Sequence, residues 1–181
     1  MPRALLQYFS KLLGKPSMPL LSAGKTAPSF QLAATTGERL SLQEALTRGP
    51  VLLAFFKVSC PTCQFTFPFL QRLYAQMQER GVQIWGIVQG KAEDGARFAS
   101  TFRVTFPILI DDSPYKVSQA YGLTHVPSLF LVKPDSHIEI SGDGFCKADV
   151  LAIQHSLARS LSATPPTLFL PTERIPEFKP G

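Results

Sequence analysis

The sequence predicts an α/β fold with a central mixed β-sheet flanked by helices, and three observations support this prediction. Short, nearly unbroken apolar runs, typical of strands covered on both faces, alternate with segments that repeat apolar residues at helical spacing. The last two predicted strands are separated by only a short turn, as in an antiparallel pair, and a final helix follows them. The chain has 181 residues, 45% of them hydrophobic, which suits one domain with a substantial core.

An amphipathic helix is predicted at the start of the chain, because apolar side chains recur there at helical spacing. They are Leu5, Leu6, Phe9, Leu12 and Leu13. This helix either packs on its own domain, binds a partner or lies on a membrane surface; a cleaved signal peptide fits less well, since polar residues interrupt the apolar ones. We expect residues 1–26 to form this helix and a linker, residues 27–163 to form the domain, and residues 164–181 to form a Pro-rich tail.

Within the domain, the predicted elements follow in a regular order. A hairpin turns at Thr36-Gly37, and a helical turn over residues 43–47 follows it. Strands and helices then alternate. The strands are predicted over residues 51–58, 82–88, 106–110, 128–132 and 137–140. The helices are predicted from Cys63 to Gly81 and over residues 93–102, 115–121 and 148–161.

Charge and composition exclude several classes of function. The net charge of +5 comes mainly from basic residues that precede the first acidic residue, Glu38, and the rest of the chain is nearly neutral. No basic face with stacking aromatic residues is visible, so we expect no nucleic-acid partner. The three histidines are scattered and form no short ligand pair with the cysteines, so we expect no metal and no other cofactor.

Two cysteines in C-x-x-C spacing, Cys60 and Cys63, point to redox chemistry. They directly follow a predicted buried strand and open a predicted helix, where unpaired N–H groups and the helix dipole stabilise an anion. A free thiol has a pKa of about 8.5, so this position favours the reactive thiolate at Cys60. Pro61 suits the first helical turn because it needs no N–H donor, and the Thr62 hydroxyl is a candidate for tuning the thiolate.

The spacing also assigns a role to each cysteine. Three residues make nearly one helical turn, so Cys63 is expected beneath Cys60 and less exposed. Cys60 is the predicted nucleophile that attacks a substrate disulfide, and Cys63 is the predicted resolving thiol that releases the reduced substrate. The same steps in reverse would oxidise a dithiol.

At these motifs the chain resembles the thioredoxin-like superfamily. Phe55 and Phe56 lead into Ser59-Cys-Pro-Thr-Cys63, and Val126-Pro127 precedes an apolar strand. The resemblance implies a cis bond at Val126-Pro127 beside the dithiol, which would leave the Val126 backbone free to pair with an extended substrate peptide. The early hairpin and the insertion between the second and third strands of the predicted sheet resemble the redoxin branch. That branch includes TlpA/ResA-like disulfide reductases and AhpC/TSA peroxidases.

The chain departs from these families at several positions. Ser59 replaces the tryptophan that usually precedes the first cysteine in thioredoxins, and Ala54 replaces their buried acid. Lys57 and Leu53 stand where peroxidases of the branch carry threonine and proline, which argues against peroxidase activity. Lys57 is a charge near the dithiol, and a protonated His125, two residues before Pro127, would favour the Cys60 thiolate. Cys146 stands outside the motif and is expected to be a free, small side chain; the alternative is a reactive thiol at a helix start or an intermolecular link.

Three functions remain open at this point. The first is thiol–disulfide exchange with protein disulfides or dithiols, after which an upstream thiol reductant or oxidant regenerates the starting form of the cysteine pair. The second is a thiol peroxidase, and the third is a redox-sensing interaction module whose dithiol changes binding. A reducing role favours the cytoplasm, whereas the resemblance to TlpA/ResA-like proteins favours the bacterial cell envelope or periplasm.

Overall fold

The computed structural model describes residues 19–181. The predicted N-terminal helix, residues 1–15, lies outside the described residues. No helix within residues 19–181 has the length and apolar character needed to cross a membrane.

A five-stranded mixed sheet forms the centre of the molecule. An outlying hairpin, β1 and β2, precedes it. The strands in chain order are β1 (Gln31–Ala33), β2 (Arg39–Ser41), β3 (Val51–Phe56), β4 (Gln83–Gln89), β5 (Ile108–Asp111), β6 (Ser128–Val132) and β7 (Ile138–Asp143). The sheet order is β5-β4-β3-β6-β7, with β3, β4 and β5 parallel, and β6 antiparallel to both β3 and β7. Every residue of β3 is buried, as expected for a central strand covered on both faces.

Five helices complete the domain within the described residues. They are α1 (Leu42–Leu46), α2 (Pro61–Met77), α3 (Ala92–Phe102), α4 (Lys116–Ala120) and α5 (Lys147–Ser160). A short 3₁₀ turn, Gln78–Arg80, extends α2, and Gly81 ends it in the left-handed conformation (φ 82°) that favours glycine. The order of the elements matches the sequence prediction, with bounds that differ by a few residues.

The two faces of the sheet carry separate cores. Alternate residues of β3 point to opposite faces, so Leu52, Ala54 and Phe56 belong to one core and Val51, Leu53 and Phe55 to the other. The first core is filled from α2, α3 and α5, whereas the second is filled from α1 and from loop residues that include Tyr121. Cys63 lies in the first core, which we call the dithiol face; the other is the opposite face.

The segment from residue 164 to residue 181, which we call the strap, packs against the domain. Leu168 is buried in the core of the dithiol face, and Phe169 packs beside it. Further along, β9 (Phe178–Lys179) pairs antiparallel with β8 (Phe145–Cys146). The division of the chain at residue 164 stays a prediction, but in this structure the strap is part of the surface of the fold.

Candidate active site

The dithiol lies where β3 ends and α2 begins. Cys60 is the N-cap of α2, with extended backbone (φ −79°, ψ 116°), and Pro61 occupies the first helical position. The backbone N–H of Cys63 donates a hydrogen bond to the Sγ of Cys60 at 3.2 Å. One of the unpaired donors of the helix start therefore points at the sulfur, where it stabilises negative charge.

The two thiols differ in exposure, as the spacing predicted. Cys60 is half-buried, whereas Cys63 has no exposed surface, and both are free cysteines. Burial, followed by the hydrogen bond with Cys60, raises the pKa of the Cys63 thiol far above its usual range. At neutral pH, Cys63 is therefore held as a protonated thiol beneath a partly accessible partner.

The loop before β6 reaches the dithiol from the other side. The Val126–Pro127 peptide bond is cis, as the resemblance implied. The Cys60 thiol donates a hydrogen bond to the backbone oxygen of Val126 at 3.2 Å. Two segments separated by more than sixty residues therefore meet at the Cys60 sulfur.

The residues between and before the cysteines have different surroundings. Ser59 and Pro61 are exposed, but Thr62 is only 7% exposed. The hydroxyl of Thr62 donates a hydrogen bond to the backbone oxygen of Pro180, at 2.6 Å, so it points to the strap. The proposal that this hydroxyl tunes the thiolate stays a prediction.

Lys57 and His125 are both exposed and border a cavity of about 220 Å³ beside the dithiol, which Val126 and Tyr115 also line. The backbone oxygen of Lys57 accepts a hydrogen bond from the Cys60 N–H at 3.1 Å, so its main chain shapes the turn into α2. The Nδ1 atom of His125 lies 3.7 Å from the carboxylate of Asp143. The effect of either side chain on Cys60 stays a prediction.

Sequence reasoning missed the contribution of the strap to this site. Within the strap, the aromatic residue Phe178 is 57% exposed, whereas Leu168 is buried. The strap residues near the dithiol, Pro180 and Gly181, carry no side-chain signal because they act through their backbone. Cys146 caps α5 and pairs with Phe178 in the short sheet.

Within residues 19–181, no three or more His, Cys, Asp or Glu side chains are grouped so that they could hold a metal ion.

Comparison with known proteins finds thiol–disulfide oxidoreductases among those that are similar to this chain. The model of the AhpC/TSA family matches residues 23–141. The chain is also similar to the thiol–disulfide oxidoreductase ResA of Bacillus subtilis (strain 168), with 30% identity over 132 residues, 72% of this chain and 71% of that protein.

Solved structures share the fold. The thioredoxin domain of a thiol–disulfide oxidoreductase from Bacteroides vulgatus matches with a TM-score of 0.66 and 20% identity, covering 75% of this chain and 97% of the other. A secreted disulfide oxidoreductase of Mycobacterium tuberculosis matches with a TM-score of 0.61 and 18% identity, covering 72% and 95%. These likenesses confirm the predicted thioredoxin-like α/β fold.

Proposed function

Because the chain belongs to the AhpC/TSA family and is similar over most of its length to a thiol–disulfide oxidoreductase, we propose that Cys60 and Cys63 are its working redox pair. The named relatives confirm the predicted enzyme class, an oxidoreductase. The observation that carries the assignment is the contrast between the two thiols. Cys60 is partly exposed at a helix start and accepts a hydrogen bond from the N–H of Cys63, whose own thiol is buried.

In the proposed reaction, the Cys60 thiolate attacks one sulfur of a substrate disulfide. The substrate S–S bond breaks, a mixed disulfide forms at Cys60, and the other substrate sulfur leaves as a thiolate that takes up a proton. Cys63 then loses its proton and attacks Cys60, which releases the second substrate thiol and leaves a Cys60–Cys63 disulfide. Two electrons pass from the dithiol to the substrate, and an upstream thiol reductant must return them; in the opposite direction, an oxidant is needed.

The second step is expected to be limited by deprotonation of Cys63. Its thiol is fully buried, and burial raises its pKa. Position 54, which carries the buried acid of thioredoxins, is a fully buried alanine in this chain. The released substrate thiolate is therefore the proposed acceptor of the Cys63 proton.

Single substitutions test these roles. Cys60→Ser is expected to reduce the turnover of insulin disulfides to the uncatalysed background, because the attacking sulfur is gone. Cys63→Ser is expected to accumulate a mixed disulfide at Cys60, visible as a thiol-sensitive band on a non-reducing gel. Cys146→Ser is the matched control and should keep wild-type turnover. Equal turnover in Cys60→Ser and wild type would contradict the assignment.

Protein disulfides or dithiols are the proposed substrates, and peroxide is not favoured. Lys57 and Leu53 occupy the positions that carry threonine and proline in the peroxidases of the branch. A coupled assay with hydrogen peroxide separates the two reactions. Insulin turnover without peroxide consumption supports disulfide exchange, and the reverse result favours the peroxidase. A sensing module would show neither, but its partner binding would change with oxidation.

We further propose that the protein works in the bacterial cell envelope, rather than in the cytoplasm that a reducing role alone favours. One protein with the same fold is a secreted disulfide oxidoreductase, which supports this choice. Labelling of intact cells with a membrane-impermeant maleimide is the test. Label on Cys60 before lysis places the protein outside the cytoplasmic membrane, and label only after lysis places it inside.

A further inference from the structure

The last residues of the strap lie against the dithiol. Pro180 accepts the hydrogen bond from Thr62, which stands between the two cysteines, at 2.6 Å. Gly181 lies so close to Val126 that a Cβ atom on it would be 2.6 Å from the Val126 backbone oxygen. That same oxygen accepts the hydrogen bond of the Cys60 thiol. The strap therefore covers both the loop between the cysteines and the backbone acceptor beside Cys60.

A short antiparallel pairing guides the strap to this place. Phe178 and Lys179 form β9, which pairs with β8, and the Lys147 N–H donates to the backbone oxygen of Glu177 at 2.9 Å. The strap passes Gly144 so closely that a Cβ atom there would lie 2.5 Å from the backbone oxygen of Lys179. Gly144 also has a left-handed φ of +71°, so a glycine serves both the turn and the close approach.

A separate anchor holds the earlier part of the strap. The Arg72 guanidinium makes a forked ion pair with the Glu173 carboxylate at 2.7 and 2.8 Å and also donates to the backbone oxygen of Leu168 at 2.6 Å. This pairing lowers the pKa of Glu173 to about 2. The Phe169 ring stacks edge-on against Phe69, with centroids 5.1 Å apart. The contacts that anchor residues 168–173 therefore do not involve residues 177–181.

By contrast, residues 177–181 are held weakly. β9 has two residues, Phe178 is 57% exposed, and the side chain of Glu177, which pairs with Lys147, is 81% exposed. Segments with few buried contacts and short ladders open with low free energies, without unfolding of the domain. Residues 177–181 can therefore leave the dithiol while Leu168 and Arg72 hold the rest of the strap.

We propose that residues 177–181 occupy the surface on which an extended segment of a protein substrate lies. They must leave before a protein disulfide reaches Cys60, whereas a small disulfide reaches the partly exposed Cys60 directly. This inference rests on the proposed function and adds the way in which substrates gain access.

The contacts of the strap define the chemistry of the partner. An extended polypeptide can offer a backbone carbonyl to the Thr62 hydroxyl and a strand edge to Phe145 and Cys146, as the strap does. Recognition through the main chain makes few demands on side chains. The partner is therefore a protein with a disulfide in an accessible, extended segment.

Variants of the strap test the proposal in the full-length reduced protein. Lys179→Pro removes a backbone N–H from β9 and prevents its pairing. The alkylation rate of Cys60 by a maleimide that carries a polyethylene glycol chain is expected to rise about two- to tenfold, the change that loss of one net hydrogen bond produces in an opening equilibrium. Iodoacetamide, which is small, should react at nearly the wild-type rate. Mass spectrometry of the Cys60 peptide separates this reaction from alkylation of Cys146.

Lys179→Ala is the matched control, because it keeps the backbone N–H and removes only the side chain that lies over Phe65. Gly181→Ala is an independent variant, since its Cβ would collide with the Val126 oxygen, and it should also speed the bulky reagent. Insulin turnover should rise with the bulky reaction, and turnover of bis(2-hydroxyethyl) disulfide should not change. Wild-type rates with the bulky maleimide in both strap variants would overturn the proposal, as would an equal rise for both disulfides.

The same experiment separates this proposal from the proposed function. If wild type and variants reduce neither disulfide, the proposed function fails, and the alkylation rates still report whether the strap covers Cys60. If the wild type reduces both disulfides and the bulky alkylation rates of the variants equal its own, the strap proposal alone fails.

Discussion

The two faces of the central sheet are built differently, although one strand supplies both. On the dithiol face, β3 packs against the long helices α2, α3 and α5, and on the opposite face it packs against the short helix α1 and against loops. Both faces are equally well buried at β3, where all six residues have no exposed surface. The two faces therefore differ in the elements that cover them, long helices or a short helix and loops, and not in how completely β3 is buried.

The proposed role of Cys60 and Cys63 as a redox pair accounts for this asymmetry. Cys60 needs a helix N-terminus at the end of a central strand, and α2 provides it with 17 residues packed on the sheet. A long helix holds the start of its first turn firmly, because the rest of its apolar side is buried. The opposite face has no such requirement, so short elements suffice there.

The largest expected effect comes from removing an aromatic ring from the dithiol face. The Phe67 ring packs against Phe56, Phe98 and Phe106, with centroids 4.4, 5.1 and 5.9 Å apart. Phe67→Ala is expected to lower the free energy of unfolding by about 3–5 kcal/mol in urea titrations. Since Phe67 follows Cys63 by one turn of α2, alkylation of Cys63 in the native protein should also become faster.

Phe130→Ala on the opposite face is the matched control. The Phe130 ring packs against Phe55 and Tyr121, with centroids 5.7 and 5.0 Å apart. The Phe130→Ala substitution should lower the free energy of unfolding by a similar amount, about 3–5 kcal/mol. It should leave the native-state alkylation rate of Cys63 unchanged, because the sheet lies between Phe130 and Cys63. If Cys63 alkylation became equally faster in both variants, a cavity on either face of the sheet would expose Cys63 to the same extent, which would contradict the difference between the faces.

The sequence predicted the sheet and the dithiol because both depend on local patterns. The unbroken apolar run at Val51–Phe56 indicates a strand buried on both faces, and the spacing of Cys60 and Cys63 places one thiol beneath the other. Local patterns also explain why the boundaries were less accurate. The strand before Cys60 ends at Phe56 because the chain must turn into α2, so the apolar Val58 is not part of it.

The strap was not predictable in the same way. Its pairing with β8 involves two residues and bridges more than thirty positions, and its contact with Thr62 is made by the main chain of Pro180. Neither hydrophobic period nor composition reports such contacts. The ion pair between Arg72 and Glu173 likewise joins residues about a hundred positions apart, and single charges in a sequence do not identify their partners.

A smaller loss of stability is expected from a substitution at Gly86 in β4, which lies against the core of the dithiol face. A Cβ atom on Gly86 would lie 2.5 Å from Ile108 Cδ1 and 3.2 Å from the Phe67 ring. Gly86→Ala therefore overfills this core and should lower the free energy of unfolding by about 1–3 kcal/mol. Gly90→Ala, whose Cβ would meet only ordinary contacts at 3.7 Å or more, is the control and should not destabilise the protein. Equal stability of the two variants would show that the core beneath the helices has room to adjust.

The smallest expected effect is a pH dependence, because the dithiol face buries the thiol of Cys63 and the opposite face buries the phenol of Tyr121. Burial raises the pKa of Cys63 on the dithiol face and of Tyr121 on the opposite face. At pH values below the pKa that the group has in the unfolded chain, the raised pKa in the folded state does not change the free energy of unfolding. Above that unfolded-state pKa the unfolded chain releases the proton first, so the free energy of unfolding falls, by up to about 1.4 kcal/mol per pH unit for each group.

The two declines should begin at different pH values and can be assigned to the two faces. The first should start at about pH 8.5, the usual pKa of cysteine, and the second at about pH 10, the usual pKa of tyrosine. Urea unfolding from about pH 8 to pH 11 under reducing conditions should show that Cys63→Ala removes the first decline and Tyr121→Phe the second. If Cys63→Ala leaves the slope between these two values unchanged, Cys63 is not held protonated by burial, and deprotonation of that thiol does not limit the second step of the proposed exchange.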